Sequence, residues 1–166
     1  MSDEETERLH WEQVEEAVEL MQVGEMEDAK RELTQLAEQF PKNEYAHFFL
    51  GNLLYEEEDY ARALKCFVAA IDAKPKYLGA MIGAGQCLRM LGDHERALRM
   101  GRQVLRIEAN DPDALFLVGA TFFQRGEYEA AYGPLRRFLE TGPEAEVMIE
   151  VQGMVQICSQ AMGLPG

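Results

Sequence analysis

Four six-residue stretches decide the fold: Gly24-Glu25-Met26-Glu27-Asp28-Ala29, Glu58-Asp59-Tyr60-Ala61-Arg62-Ala63, Gly92-Asp93-His94-Glu95-Arg96-Ala97 and Gly126-Glu127-Tyr128-Glu129-Ala130-Ala131. Their closing alanines, at 29, 63, 97 and 131, are each 34 residues apart, with no insertion or deletion between them. Working outward, the same interval carries other residue types. Ala17, Gly51, Gly85 and Gly119 are small, and Leu20, Leu54, Leu88 and Phe122 are large and apolar. Pro41, Pro75 and Pro143 close three units, and Ala109 takes that place in the third. A fixed period of this kind marks a repeat architecture, in which one supersecondary unit stacks on the next.

Each position has a physical reason. A small residue such as Gly51 lets the first helix of a hairpin approach the second closely, and Ala63 does the same from the other side; a bulky replacement at either overpacks the contact. Leu50, Leu54, Ala63, Phe67 and Ala70 recur at helical spacing and supply buried stripes. No hairpin buries its whole stripe alone, so neighbours must stack. Asn110-Asp111-Pro112 places an N-cap before a proline at the first helical position, and Asn43 ahead of Glu44 reads the same way. Gly133-Pro134 falls inside the second helix of the last hairpin, where proline removes a backbone hydrogen bond and is expected to bend it. Residues 144–162 make one further helix, ended by Gly163-Leu164-Pro165-Gly166; its Gly153 falls 34 residues after Gly119. Val147, Met148, Ile149, Val151, Met154, Val155, Ile157 and Cys158 make this helix apolar on several sides, more than a shielding end-helix needs, which suggests self-association or folding back into a groove.

These residues resemble the tetratricopeptide repeat family, a 34-residue helix-turn-helix with a Leu-Gly-x-x-Tyr stretch, then Ala-x-x-x-Phe, then Pro. The resemblance covers about residues 10–145. Departures are Glu16 where an apolar residue belongs, Gly101 where an aromatic belongs, and no tryptophan at the family's tryptophan place, since Trp11 lies two residues ahead of it. The fold class implied is all-α, a right-handed helix-turn-helix solenoid with a terminal capping helix. The expected divisions are an acidic lead at 1–9, repeats at 10–43, 44–77, 78–111 and 112–145, and a capping helix and tail at 146–166.

Composition excludes several functional classes. The chain has 166 residues and 18.8 kDa, which fits one domain; 47% is apolar and 28% charged, an ordinary balance for a packed protein. A net charge of −14 repels phosphate backbones and anionic lipid, so neither nucleic acid nor membrane is an expected partner. Asp3, Glu4, Glu5, Glu7, Glu12, Glu15, Glu16 and Glu19 crowd the N-terminal end against Arg8 alone, reading as a solvated tail and helix face, with an acidic docking arm for a basic partner as the alternative. No stretch approaches the roughly 18–20 apolar residues of a membrane span, and the acidic start is unlike a secretory signal, so a cytoplasmic location is expected. Cys66, Cys87 and Cys158 are odd in number and set among apolar residues, which reads as small buried side chains. His10, His47 and His94 share no metal-ligand spacing, no nucleophile or phosphate-loop motif is present, and acid pairs such as Glu57 and Asp59 belong to hairpin turns. The expectation is a protein that is not an enzyme, with no catalytic residue, metal or cofactor.

The resemblance also implies where a partner sits. In the family the first helix of each unit lines a concave groove that takes extended or short helical segments. Carried over, the lining is Trp11, Val14, Val18 and Met21, then Tyr45, Phe48, Asn52 and Tyr55. Gly79, Ile82, Gln86 and Arg89 follow, then Asp113, Phe116, Ala120 and Phe123. These places are expected to be left facing solvent, and so apolar a row implies an apolar or amphipathic partner segment. Aromatic anchors would be Tyr45, Phe48, Tyr55, Phe116 and Phe123, with Asn52 and Arg89 orienting the backbone or one acidic group. Relatives that clamp the C-terminal carboxylate of heat-shock chaperones use basic and amide residues here. Only Asn52 fits that pattern, because Val14, Val18, Phe49, Gly79 and Gly83 hold the other clamp places, so that function is set aside. The reading is a scaffold or adaptor that holds another protein. The alternative is a bacterial secretion chaperone with an apolar concave face, weakened by four regular units and a short acidic lead; a remoter one is an accessory domain of an enzyme complex.

Overall fold

Short polar side chains set most helix starts in this chain, and they do so at a constant interval. The computed structural model describes residues 1–165; Gly166, the end of the expected tail, lies outside the described residues. Among the described residues there are nine helices: α1 (Asp3–Gln22), α2 (Met26–Gln39), α3 (Glu44–Glu56), α4 (Tyr60–Ala73), α5 (Leu78–Met90), α6 (His94–Ile107), α7 (Pro112–Gln124), α8 (Tyr128–Glu140) and α9 (Ala145–Ala161). The starts of α3, α5 and α7 are 34 residues apart, as are those of α2, α4, α6 and α8. Asn43, Asp59, Asp93 and Asp111 cap α3, α4, α6 and α7 by accepting backbone N–H donors, with Pro112 opening α7.

The acidic lead is not a separate tail: residues 3–9 are the first turns of α1. Ser2 accepts from the Glu5 N–H while the Glu5 carboxylate accepts from the Ser2 N–H, a reciprocal capping box. Asp3, Glu4 and Glu5 also sit at the positive end of the helix dipole, where carboxylates stabilise.

Four hairpin turns repeat one geometry. Gly24, Gly92 and Gly126 adopt φ of +88°, +84° and +76° just past a helix end, and the fourth place in register is Glu58 at φ +62°. Each such residue donates to a carbonyl three residues back, and the next donates to one five back, satisfying the helix's last acceptors. Glycine takes this left-handed conformation freely; Glu58 holds it against its Cβ.

The chain divides into two compact units, Met1–Cys87 and a second from Leu88 onward, the division falling inside α5. In the first, Phe67 of α4 is the organising side chain, 1% exposed. A Cβ on Gly51 of α3 would lie 2.9 Å from its ring and one on Gly83 of α5 only 2.5 Å, so both helices reach α4 because they lack that carbon. Ala63 and Ala70 are fully buried beside it on α4, as Ala29 and Leu33 are on α2.

In the second unit Leu135 of α8 plays the same part against Gly119 of α7, where a Cβ would come within 2.6 Å. Gly101 of α6, which stands where an aromatic was expected, instead admits Val118 of α7 to 2.6 Å from its Cβ position. The α8 helix continues through Pro134. Leu115, Ala131, Leu135, Phe138, Val151 and Cys158 form the core, so α9 packs on α8 through Val151 and Cys158. Of the expected apolar surplus on α9, Val147, Met148, Met154 and Val155 are half-buried and only Ile149 and Ile157 are exposed.

Candidate partner-binding face

In the first unit, α1, α3 and the start of α5 bring an aromatic cluster together. The Trp11 ring meets Tyr45 edge-on at 5.4 Å between centroids and Phe49 at 6.1 Å. Phe48 lies 4.8 Å from Tyr77 and 5.3 Å from Phe49, and Tyr45 lies 6.0 Å from Tyr77. Gly79 makes room for this, since a Cβ there would come to 3.2 Å from the Phe48 ring. Trp11 is 39% exposed, whereas Tyr45, Phe48, Phe49 and Tyr77 are half-buried, so the rings support one another and still show an edge to solvent.

Polar contacts fix this cluster. Asn43 is fully buried, yet all of its amide is used: the oxygen accepts from the N–H groups of Tyr45 and Ala46, and the nitrogen donates to the His10 carbonyl and the Gln13 side chain. One residue thereby caps α3 and ties it to α1. His10 Nδ1 donates to the Glu44 carboxylate at 2.6 Å. At the rim the Tyr45 hydroxyl donates to Glu7 at 2.8 Å and Lys74 Nζ to the same oxygen at 3.1 Å. The Tyr45 hydrogen bond, followed by Lys74, holds the Glu7 carboxyl below its usual range. Burial pushes the Tyr45 and Tyr77 phenols well above theirs, reinforced at Tyr45 by the bond to Glu7 and at Tyr77 by Tyr45 and nearby carboxylates.

Along α3 the cluster continues through Asn52 and Tyr55, seven and ten residues after Tyr45 on the same helical face. Both are half-buried, as are Val18 of α1 and Ile82 and Gln86 of α5; Tyr55 also meets Tyr60 at 5.2 Å. Two of the places expected to face solvent do not. Val14 is fully buried, where α1 packs on α2 and α3, and Ala120 is 4% exposed, on a helix packed by α6 and α8. In the second unit Phe116 and Phe123 are half-buried and packed against the core, Phe116 at 5.4 Å from Phe138 and Phe123 at 5.3 Å from Tyr128. Arg89, also in that unit, donates to Gln124 at 3.2 Å.

Thus the structure gathers Trp11, Tyr45 and Phe48 around partners the sequence reading passed over, Tyr77 and the Glu7–Lys74 pair. Tyr77 could have been noticed two residues after Pro75 and next to the helix start; the pair leaves no periodic signal. Among the described residues no helix is long and apolar enough to cross a membrane.

Comparisons with known proteins agree on the architecture. A family model described as tetratricopeptide repeat matches residues 14–77 and 50–112. Tetratricopeptide repeat protein 8 of Caenorhabditis elegans is 27% identical over 123 residues, which is 74% of this chain and 24% of that protein. Hsp70-Hsp90 organizing protein 1 of Glycine max is 26% identical over 131 residues, 79% of this chain and 23% of that protein. The chain therefore spans about a quarter of the length of the curated relatives it matches. Among solved structures, a MamA fragment from Desulfovibrio magneticus superposes with a TM-score of 0.77 at 19% identity, over 98% of this chain and 88% of that one. YrrB, described as a TPR protein with an unusual peptide-binding site, gives 0.72 at 20% identity over 89% of this chain and 74% of that one.

Proposed function

We propose, from the premise that this chain belongs to the tetratricopeptide repeat family, that it is a non-catalytic scaffold or adaptor whose first unit holds an apolar or amphipathic segment of a partner protein. The observation that carries the reading is the half-open aromatic face: Trp11, Tyr45, Phe48 and Tyr55, with Val18, Asn52, Ile82 and Gln86 beside them. Rings already locked by neighbours lose little freedom when a ligand covers them, which favours their use as anchors. Asn52 and Gln86 are amides able to donate to and accept from a bound backbone. The acidic residues of α1 border this face, so a segment with apolar anchors and a basic flank is the best complement. Phe116, Phe123 and Arg89 are proposed to serve a partner from the second unit. The likeness to YrrB supports a peptide ligand as an inference from fold alone. A cytoplasmic location goes with this proposal.

The test is a displayed random-peptide library panned on the intact chain, with binding of the selected peptide measured for Tyr55→Ala and Ile82→Ala. Truncating a desolvated anchor costs about 2 kcal/mol, roughly thirtyfold in affinity. Selected peptides rich in apolar residues, weakened to that extent by these variants while helicity is unchanged, support the reading. Undiminished binding by both variants refutes it.

A further inference from the structure

One helix runs against the charge of the whole molecule. In a chain of net charge −14, α6 carries Arg96, Arg99, Arg102 and Arg106 against the single carboxylate of Glu95. Arg96 is taken up by Asp93 at 2.6 Å, next to the helix start. Arg99, Arg102 and Arg106 stand at spacings of three and four, which aligns them on one side of the helix, and all three are exposed. Among the described residues none of the three forms an ion pair.

These arginines line a cavity of about 470 Å³ in the second unit, together with Phe122 of α7, Arg125 and the carboxylates of Glu95 and Glu127. That volume is in the range of ligand pockets, about 300–1,000 Å³. Phe122 is half-buried and the Arg102 guanidinium lies 5.5 Å from its ring centroid, so the cation is held over an aromatic face. Arg125 is engaged by Glu127 at 2.6 Å, so the charge left over in the cavity is that of Arg99, Arg102 and Arg106 against Glu95.

We infer that this cavity between α6 and α7 is a second docking surface, distinct in its residues and chemistry from the aromatic face of the first unit, and that its occupant is an acidic segment of a partner protein. Charge complementarity selects the occupant. Guanidinium groups pair with carboxylates in two-pronged geometry, and the three arginines outnumber the one carboxylate, Glu95, that α6 places beside them. Arg102 and Arg106 are about 6 Å apart along the helix axis, and an extended segment places same-side carboxylates about 6.7 Å apart, so two acidic residues at alternate positions match this pair. The exposed part of Phe122 offers an apolar contact to a neighbouring side chain. Nucleic acid is disfavoured because three free cations in so acidic a chain displace few counterions.

The experiment uses the intact chain and a fluorescein-labelled synthetic peptide of alternating Glu and Ser with one Phe, read by anisotropy at low and moderate salt. The expected result is saturable binding that weakens with salt, is lost when Gln replaces Glu, and falls roughly tenfold or more in Arg102→Glu/Arg106→Glu. Lys42→Glu/Lys65→Glu makes the same change in net charge on exposed lysines of the first unit and is expected to leave binding within about twofold. Arg99→Gln, which removes a side chain free of ion pairs, separates lost binding from lost folding and should weaken binding with circular dichroism unchanged. Equal weakening by the two double variants, no binding at low salt, or tighter binding of a single-stranded oligonucleotide than of the peptide overturns the proposal.

Discussion

Adding a single carbon at Gly83 tests how the first unit is packed. The Cβ of Gly83→Ala would stand 2.5, 2.6 and 2.7 Å from Cε1, Cζ and Cδ1 of Phe67, a ring 1% exposed that also lies 2.9–3.0 Å from where a Cβ on Gly51 would stand. The ring has no free direction in which to move, so α5 must shift away from α4. Overpacking of this kind costs about 1–3 kcal/mol, and the better helix propensity of alanine offsets about 1 kcal/mol of it. The expected net loss is up to about 2 kcal/mol, and each kcal/mol lowers a thermal midpoint by roughly 2–4 °C. Gly153→Ala is the matched comparison: it lies in α9, is exposed, and its Cβ would meet nothing within 4 Å. There the same substitution should stabilise by about 0.5–1 kcal/mol. Urea and thermal unfolding followed by circular dichroism at the helix band give both values. If Gly83→Ala proves as stable as Gly153→Ala, the glycine is not there to admit Phe67 and the reasoning fails.

Other expectations follow from particular contacts. Glu58→Gly relieves the left-handed backbone that the three equivalent turns assign to glycine, and is expected to raise stability by about 0.5–1 kcal/mol in the same unfolding assay. Asn43→Asp keeps the cap on α3 but loses the two donated bonds to α1, while Asn43→Ala loses both; losses of about 1–2 and 2–4 kcal/mol are expected in that order. The Tyr45 and Tyr77 phenols have folded values raised above their unfolded ones, so the stability they confer is intact below about pH 10 and is lost as pH rises through the folded values. Ultraviolet titration should show two late-ionising tyrosines, and Tyr77→Phe should remove one. Burial pushes the Cys87 thiol up to about 12, whereas Cys66 is half-buried; thiol labelling near pH 8 should modify Cys66 before Cys87.

Much of the architecture is legible in the residues because repetition converts one structural requirement into a visible interval. Gly51 and Gly119 lie in register because each must admit a large side chain from the second helix of its own hairpin, and Asn43 and Asp111 because each must satisfy free N–H groups. Contacts that join unlike positions leave no such interval. The Glu7–Tyr45–Lys74 junction draws on three helices at unrelated places, and Tyr77 enters the aromatic cluster from just ahead of α5. Gly101 reads as a defect in the pattern, yet Val118 fills the space a missing aromatic would have occupied. Trp11, Tyr45 and Phe48, read as one lining, belong to one ring cluster and keep part of their surface open, whereas Val14 and Ala120 on the same lining are buried. Neither burial leaves a signal in the residues themselves, because packed helices share part of the surface that a helix alone would show. The acidic lead looked like a tail since charge density was its only strong signal; the Ser2–Glu5 box makes it helical.

Nuclear magnetic resonance mapping of the selected apolar peptide on the isotope-labelled intact chain is the most direct test of the proposed function. Binding through the aromatic face should shift the signals of Tyr45, Phe48, Asn52, Tyr55 and Ile82 most, leaving exposed residues of α2 such as Gln35 and Glu38 in place. Strong shifts at α2 with none on that face of α3 would contradict it.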